Sequence, residues 1–289
     1  MTSNIDNEQK ARIIAEALPN IQLYRKKTIV VKYGGNAMIN EELKDAVMRD
    51  MVLLTTVGIN VVLVHGGGPE INKMLGKIGV EAKFVDGLRV TDKETVDVVQ
   101  MVLAGKVNKD LVCKICNMGG HAIGLSGMDG NMIKCKPMDD VHGYVGEIVE
   151  TNMDVINEVL ANNFIPVVST IGYDEQGNCY NINADTVAAR IAGDLKAAAL
   201  ISMTDIVGLL KDVNDESTKI QKVVISEIPA LIADGIISGG MIPKVLGCLE
   251  AIDNGVAGVH IIDGRIPHCL LLEIFTKTGI GTLIKSDKY

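Results

Sequence analysis

Six short apolar runs recur along the chain: TIVVKY (28–33), VVLVH (61–65), AIGLS (122–126), FIPVVST (164–170), ALISMT (199–204) and VHIID (259–263). Polar residues scarcely alternate within them, which is how strands buried on both faces read. Segments with helical spacing lie between most of these runs, at 41–57, 69–78, 92–118, 152–162, 186–195 and 241–254. This alternation predicts an α/β fold: an open, mainly parallel sheet with helices on both faces. Residues 133–149 and 171–182 break the rhythm and read as hairpins around Asp/Gly-type turns. Ahead of the first strand, Ile13, Ile14, Ala17, Leu18 and Ile21 fall at helical spacing within 6–23. A separate helix therefore precedes the core fold.

Composition narrows the function classes. The chain has 289 residues, of which 47% are hydrophobic but only 3% aromatic, so a full-sized core must be aliphatic. A net charge of −8 argues against nucleic acid as the main partner. No run approaches the ~20 apolar residues of a membrane span. The first thirty residues hold no apolar core behind a basic head, so no secretory signal is expected. With no signal, the six cysteines read as reduced cytosolic thiols. Cys113 and Cys116 form a CxxC with no second ligand pair, so they read as core-facing helix thiols rather than a zinc site.

Chemistry concentrates at strand ends. KYGG closes the first run, and HGGG, with Gly66, Gly67 and Gly68, closes the second. Glycine there lets a ligand touch the main chain, and a following helix offers unpaired N–H groups to an anion. Neither GxGxxG nor GxxxxGK[ST] is present: position 71 is Ile, and Gly76-Lys77 and Gly105-Lys106 lack a following Ser or Thr. Lys32, in the last positions of an apolar strand, is costly unless it faces a pocket or a partner. Lys244, after Gly239-Gly240 and inside an apolar stretch, has the same character. Two cations beside glycine pairs suit phosphoryl transfer, which is mostly positioning and charge stabilisation. Asp185 precedes a clean helical run and reads either as a helix N-cap or, with Asn181 and Asn183, as a polar cluster that orients lysines.

KYGGNAM, HGGGPEIN, GLRVTD (87–92), NINAD (181–185) and GGMIPKV (239–245) occur in the order and spacing of the amino acid kinase family, and nearly the whole chain resembles it. GLRVTD with NINAD resembles the members that phosphorylate N-acetyl-L-glutamate in the second step of arginine biosynthesis. The resemblance implies a three-layer αβα sandwich, with an N-terminal helix in 1–25 and a kinase domain over 26–289. Its substrate lobe would span about 26–190 and its ATP lobe about 191–289. By motif, Lys32 and Lys244 would flank the transferring phosphoryl group, with Asp185 holding both. Gly34 and Gly35 would approach the ATP phosphates, with Thr204 and Asp205 near the nucleotide. Gly67 and Gly68 would donate N–H groups to the substrate, Arg89 would clasp its α-carboxylate and Asn181 would hold it. Mg²⁺ would arrive with ATP, and no protein metal cage is expected.

The early helix and GRIPHCLLLEIFTKTGIGTLI (264–284) resemble the hexameric, arginine-inhibited members. An arginine effector would then meet Tyr24, Lys211, His268, Glu273 and Gly279. The resemblance further implies a cytoplasmic homo-oligomer, a trimer of dimers, and allows for a nitrogen-signalling protein as partner. Two alternatives stay open on the residues alone: a kinase of carbamate or aspartate, and a non-catalytic arginine sensor on the same fold.

Overall fold

The β-branched runs become the middle of one sheet in the computed structural model, which describes residues 6–287. The strands are β1 (Thr28–Tyr33), β2 (Asn60–His65), β3 (Phe84–Val85), β4 (Leu88–Arg89), β5 (Ala122–Ser126), β6 (Ile133–Pro137) and β7 (Gly146–Thr151). They continue with β8 (Ile165–Ser169), β9 (Ile171–Tyr173), β10 (Cys179–Asn181), β11 (Ala199–Thr204), β12 (Lys222–Val224), β13 (Gly258–Asp263) and β14 (Thr282–Lys285). The helices are α1 (Asn7–Glu16), α2 (Leu18–Tyr24), α3 (Glu41–Thr56), α4 (Gly68–Lys77), α5 (Lys93–Gln100) and α6 (Asn108–Asn117). After them come α7 (Asp154–Ala161), α8 (Ala184–Asp194), α9 (Ile228–Ala233), α10 (Met241–Asp253) and α11 (Cys269–Phe275).

The main sheet has the order β12-β14-β13-β11-β1-β2-β8-β5. The six strands from β13 to β5 are parallel; β14 runs antiparallel to β13 and carries β12 with it. Successive residues of a strand serve opposite faces. Ile29 and Val31 join a core with α3, α4, α5, α6 and α11, while Val30 joins a second core with α7, α8 and α10. This is the expected α/β three-layer sandwich around an open, mainly parallel sheet. The two expected hairpins pair into a small second sheet, β10-β9-β6-β7.

Three details differ from the sequence reading. The opening helix breaks at Ala17, because Pro19 sits in the first turn of α2 and cannot continue α1. Ala17 and Ile21 pack against the core, whereas Ile13, Ile14 and Leu18 are exposed. Cys113 and Cys116 are exposed rather than core-facing, since α6 turns Leu111 and Ile115 inward. The helical stretch 92–118 is one rod, but Met101–Val107 within it is π-helical.

Candidate active site

Three central parallel strands end at one edge, and the candidate residues follow from that. β1 is flanked by β11 and β2, with Lys32 beside Ser202 on one side and Val64 on the other. Both glycine turns and Thr204-Asp205 therefore emerge side by side at the carboxyl ends, where open α/β sheets bind ligands.

Lys32 is only 9% exposed, and its Nζ lies 3.0 Å from Asp185 Oδ1 and 3.5 Å from the Met203 carbonyl. Asp185 is not the cap of α8. Asn183 takes that role, its Oδ1 accepting the N–H groups of Asp185 at 2.8 Å and Thr186 at 3.3 Å. This leaves the Asp185 carboxylate free for Lys32, with Ser202 Oγ donating to it at 3.4 Å. Lys244 lies in the first turn of α10 and lines the same cavity as Lys32, Asp185, Ser202 and Thr204. Lys244 is exposed, not buried as the apolar sequence around it suggests. α10 buries Val245, Cys248 and Ala251, and Lys244 stands at the rim.

A second cleft, about 190 Å³ in volume, collects the four residues expected to meet the acid: Gly67, Gly68, Arg89 and Asn181. Gly68 opens α4, so its N-terminal N–H groups and positive dipole end face this space. Arg89 is 7% exposed. Its Nη2 donates to Asn72 Oδ1 at 2.7 Å and to the Gly68 carbonyl at 3.4 Å, and its guanidinium lies 4.8 Å over the Phe84 ring. Its buried Nη1 has no hydrogen-bond partner. Burial lowers the Arg89 pKa from its usual value. A buried donor left without an acceptor costs free energy until an anion meets it.

Gly67 is needed for space. A Cβ there would lie 2.5 Å from Leu103 Cδ2, and Leu103 is 1% exposed. Gly67→Ala is expected to lower the unfolding free energy by about 1–3 kcal/mol, as overpacking does. Denaturant unfolding reads this directly; an unchanged midpoint would show that the turn relaxes freely.

On the other side of β1, Asp205 lines a cleft of about 710 Å³ with Gly208, Lys211, Glu216, Met241 and Arg265, within the range of nucleotide-sized sites. Gly35, at φ +66, backs onto it: a Cβ there would lie 2.8 Å from Asp205 Oδ1. Gly34 sits against the Lys32 ammonium, 3.5 Å from its would-be Cβ. Thr204 Oγ1 is buried and donates to the Ile262 carbonyl at 3.1 Å, fixing the β11 end against β13.

The five residues expected around an arginine do not all converge. Glu273 is buried, contrary to a solvated surface position; its Oε1 meets His260 Nδ1 at 2.6 Å. Its Oε2 accepts the N–H groups of Ile280 at 2.7 Å and Gly281 at 2.9 Å. Burial raises its pKa, but His260 and those N–H groups outweigh this and hold it below the usual carboxylate range. Gly279, at φ +63, is pressed against the same carboxylate, and Tyr24 is close enough for the Glu273 charge to add to the rise that burial gives its hydroxyl. Lys211, by contrast, lines the Asp205 cleft. His268 turns to Asp50, with Nδ1 2.6 Å from Oδ1.

Asp50 is fully buried on α3, and its Oδ2 has no hydrogen-bond partner. Burial raises its pKa to about 6, against the pull of His268 and two N–H groups of α11. The native chain thus binds this proton before the unfolded chain does. The group's contribution to stability is full below about pH 4 and is lost as pH rises through about 6, by at most ~3 kcal/mol. Asp50→Asn is expected to flatten that slope in denaturant unfolding between pH 4.5 and 7; an unaltered slope would contradict it.

Asn72, Ser202, His65 and Asn108 belong to this edge, yet sequence reasoning gave them no defined part, and Asn183, read as part of a polar cluster, turns out to cap α8. Asn72 sits inside HGGGPEIN and could have been found as the residue one helical turn beyond Gly68.

The model described as "Amino acid kinase family" matches residues 27–263, and the chain belongs to that family. It is a kinase on the three-layer fold of its class, as the sequence motifs implied. The chain is 57% identical over 286 residues to a protein of Brachyspira hyodysenteriae named acetylglutamate kinase, covering 98% of this chain and 99% of that one. It is 53% identical over 282 residues to an acetylglutamate kinase of Clostridioides difficile, covering 97% and 99%. In fold it also resembles the N-acetylglutamate synthase of Neisseria gonorrhoeae solved with coenzyme A and N-acetyl-glutamate. The TM-score is 0.83 at 24% identity, over 96% of this chain and 64% of that one.

Proposed function

We propose that this kinase transfers the γ-phosphoryl group of ATP to the γ-carboxylate of N-acetyl-L-glutamate, giving N-acetyl-L-glutamyl 5-phosphate and ADP in arginine biosynthesis. The observation that carries this reading is the Arg89 guanidinium: buried, stacked and tethered on one side, with Nη1 unpartnered in a cleft shared with Gly67, Gly68 and Asn181. The near-full-length identity to acetylglutamate kinases supports the same acid.

The γ-carboxylate has a reference pKa of roughly 4.3, so it is ionised at neutral pH and needs no general base. The barrier is the approach of two anions. Arg89 takes the α-carboxylate with its unpartnered Nη1. The Asn181 amide holds the substrate's polar end. The N–H groups of Gly67 and Gly68 offset charge at the other end. Lys32 neutralises the transferring phosphoryl group from the β1 side, oriented by Asp185, and Lys244 does so from α10. Gly34 and Gly35 let the ATP phosphates approach the backbone, with Thr204 and Asp205 beside the nucleotide. Among the described residues no cluster of three or more His, Cys, Asp or Glu is placed to hold a metal ion. Mg²⁺ would thus be held chiefly by the ATP phosphates and waters, where it screens phosphate charge.

The linings divide along the chain. The acid cleft draws on Gly66 to Ala184 and the nucleotide cleft on Asp205 to Arg265, in keeping with lobes of about 26–190 and 191–289. The helices within 1–25 bury no residue fully and expose Ile13, Ile14, Leu18 and Leu23, which suits assembly into a cytoplasmic hexamer. Glu273, Gly279 and Tyr24 form the nucleus of an arginine-inhibition site beside α2. Among the described residues no helix is long and apolar enough to cross a membrane.

Trapping tests the chemistry. With ATP, Mg²⁺, N-acetyl-L-glutamate and hydroxylamine, an acyl phosphate is captured as a hydroxamate in step with ADP. ADP formed without hydroxamate would mean a different acceptor.

A further inference from the structure

His65 is fully buried at the end of β2, directly before the glycine turn. Its Nδ1 lies 2.9 Å from the Gly66 carbonyl oxygen. Its Nε2 lies 3.1 Å from Asn108 Nδ2. Asn108 is 1% exposed and its amide orientation is settled by its other contacts. Nδ2 donates to the carbonyls of Val167 at 2.8 Å and Leu125 at 3.2 Å, and Oδ1 accepts from Lys109 Nζ at 3.0 Å. The Gly66 carbonyl can only accept, so Nδ1 carries the proton; the unprotonated Nε2 then faces the Asn108 amide nitrogen, whose two hydrogens go to Val167 and Leu125. Burial keeps the ring neutral, its pKa pushed down to about 4.

The consequence falls on the next residue. The chain has no cis peptide among its described residues, so the Gly66–Gly67 peptide is trans. In a trans peptide the C=O and N–H bonds point to opposite sides. Fixing the Gly66 carbonyl on His65 turns the Gly67 N–H to the opposite side, and Gly67 lines the cleft with Arg89 and Asn181. The π-helical segment serves the same end. Leu103 from it bounds the far side of Gly67, and Asn108 follows at its end.

We propose that His65, in its Nδ1–H tautomer, is a positioning residue for phosphoryl transfer: through the Gly66 carbonyl it aims the Gly67 N–H at an anionic oxygen of the substrate. The proposal rests on the function given above and names what holds that site's donor in place.

Two measurements test it. The first uses the unaltered enzyme. Ring ¹⁵N NMR at neutral pH, with His65→Gln to identify the signal, is expected to show a neutral His65 protonated on Nδ1. An Nε2-protonated ring or an imidazolium overturns the proposal, whether or not any variant folds. The second compares His65→Asn, whose side-chain amide can still donate near the Nδ1 position, with His65→Gln, which cannot. For His65→Gln, kcat/KM for N-acetyl-L-glutamate is expected to fall roughly ten- to hundredfold, as when a residue that orients a contacting group is lost. The KM for ATP should stay within about twofold, and His65→Asn should recover most of the loss. Equal losses in both variants, or losses shared by the KM for ATP, overturn it. The unaltered enzyme is assayed alongside: no turnover of N-acetyl-L-glutamate there would count against the proposed function, whereas normal turnover with an undisturbed His65→Gln would count against His65 alone.

Discussion

Replacing Lys32 by Met lowers kcat by about 10³-fold and leaves both KM values within a few-fold. Lys32 is the more deeply set of the two lysines, with its ammonium 3.0 Å from Asp185 and beside the Gly34 turn. Charge that moves during transfer is met by a preorganised group in a dry environment, and removing one such group costs about 10²–10³-fold or more. Methionine keeps the stem's volume in β1. Asp185, with its side chain 38% exposed, can be hydrated once unpaired, so the fold should survive. Asp185→Asn is expected to lose less, because Lys32 keeps its charge and loses only its anchor. Steady-state kinetics with a thermal melt as control decide the matter; a kcat within about threefold of the parent would sink the role of Lys32.

Replacing Arg89 by Lys raises the KM for N-acetyl-L-glutamate by about 10²-fold with little change in the KM for ATP. That factor is about 3 kcal/mol at ~1.4 kcal/mol per tenfold. The guanidinium is used on two sides at once. Nη2 is spent on Asn72 and Gly68, the plane rests on Phe84, and Nη1 remains for the ligand. An ammonium is a single point donor and cannot both keep Asn72 and reach a carboxylate on the other side. A rise in the KM for ATP of the same size, or no rise for the acid, would show that Arg89 supports the fold rather than the substrate.

Much of this was legible before the fold. β1, β5 and β11 begin and end where the apolar runs do, because strands of a mainly parallel sheet read as nearly continuous apolar runs. The glycine turns, Lys32, Arg89 and Asn181 could be named because KYGGNAM, HGGGPEIN, GLRVTD and NINAD carry them in short contiguous motifs. What could not be read depends on contacts across the sheet. Asn183 and Asp185 both suit a helix cap; which one caps is settled by Lys32 on β1, 153 positions from Asp185 in the chain, claiming the carboxylate. β12 and β14 hold three and four residues, too few for a pattern, and their reversal carries no local signal. Lys244 looked buried because its neighbours are apolar, but neighbours in a helix face different ways. His268 was expected beside Glu273 on a shared segment, yet it sits in the left-handed region at φ 58 and reaches Asp50 on another helix instead. His65 is the same kind of case. It ends a strand, and its part shows only when the turn folds the Gly66 carbonyl back onto its ring.

The measurement that bears most directly on the account is ADP release from MgATP with N-acetyl-L-glutamate, glutamate, aspartate and carbamate compared at equal concentration, each with and without arginine. The account predicts turnover that depends on N-acetyl-L-glutamate and is suppressed by arginine. Turnover indifferent to arginine would leave the kinase and remove the effector role of Tyr24, Glu273 and Gly279. Turnover with another of these acids and none with N-acetyl-L-glutamate would contradict the assignment of the Arg89 cleft.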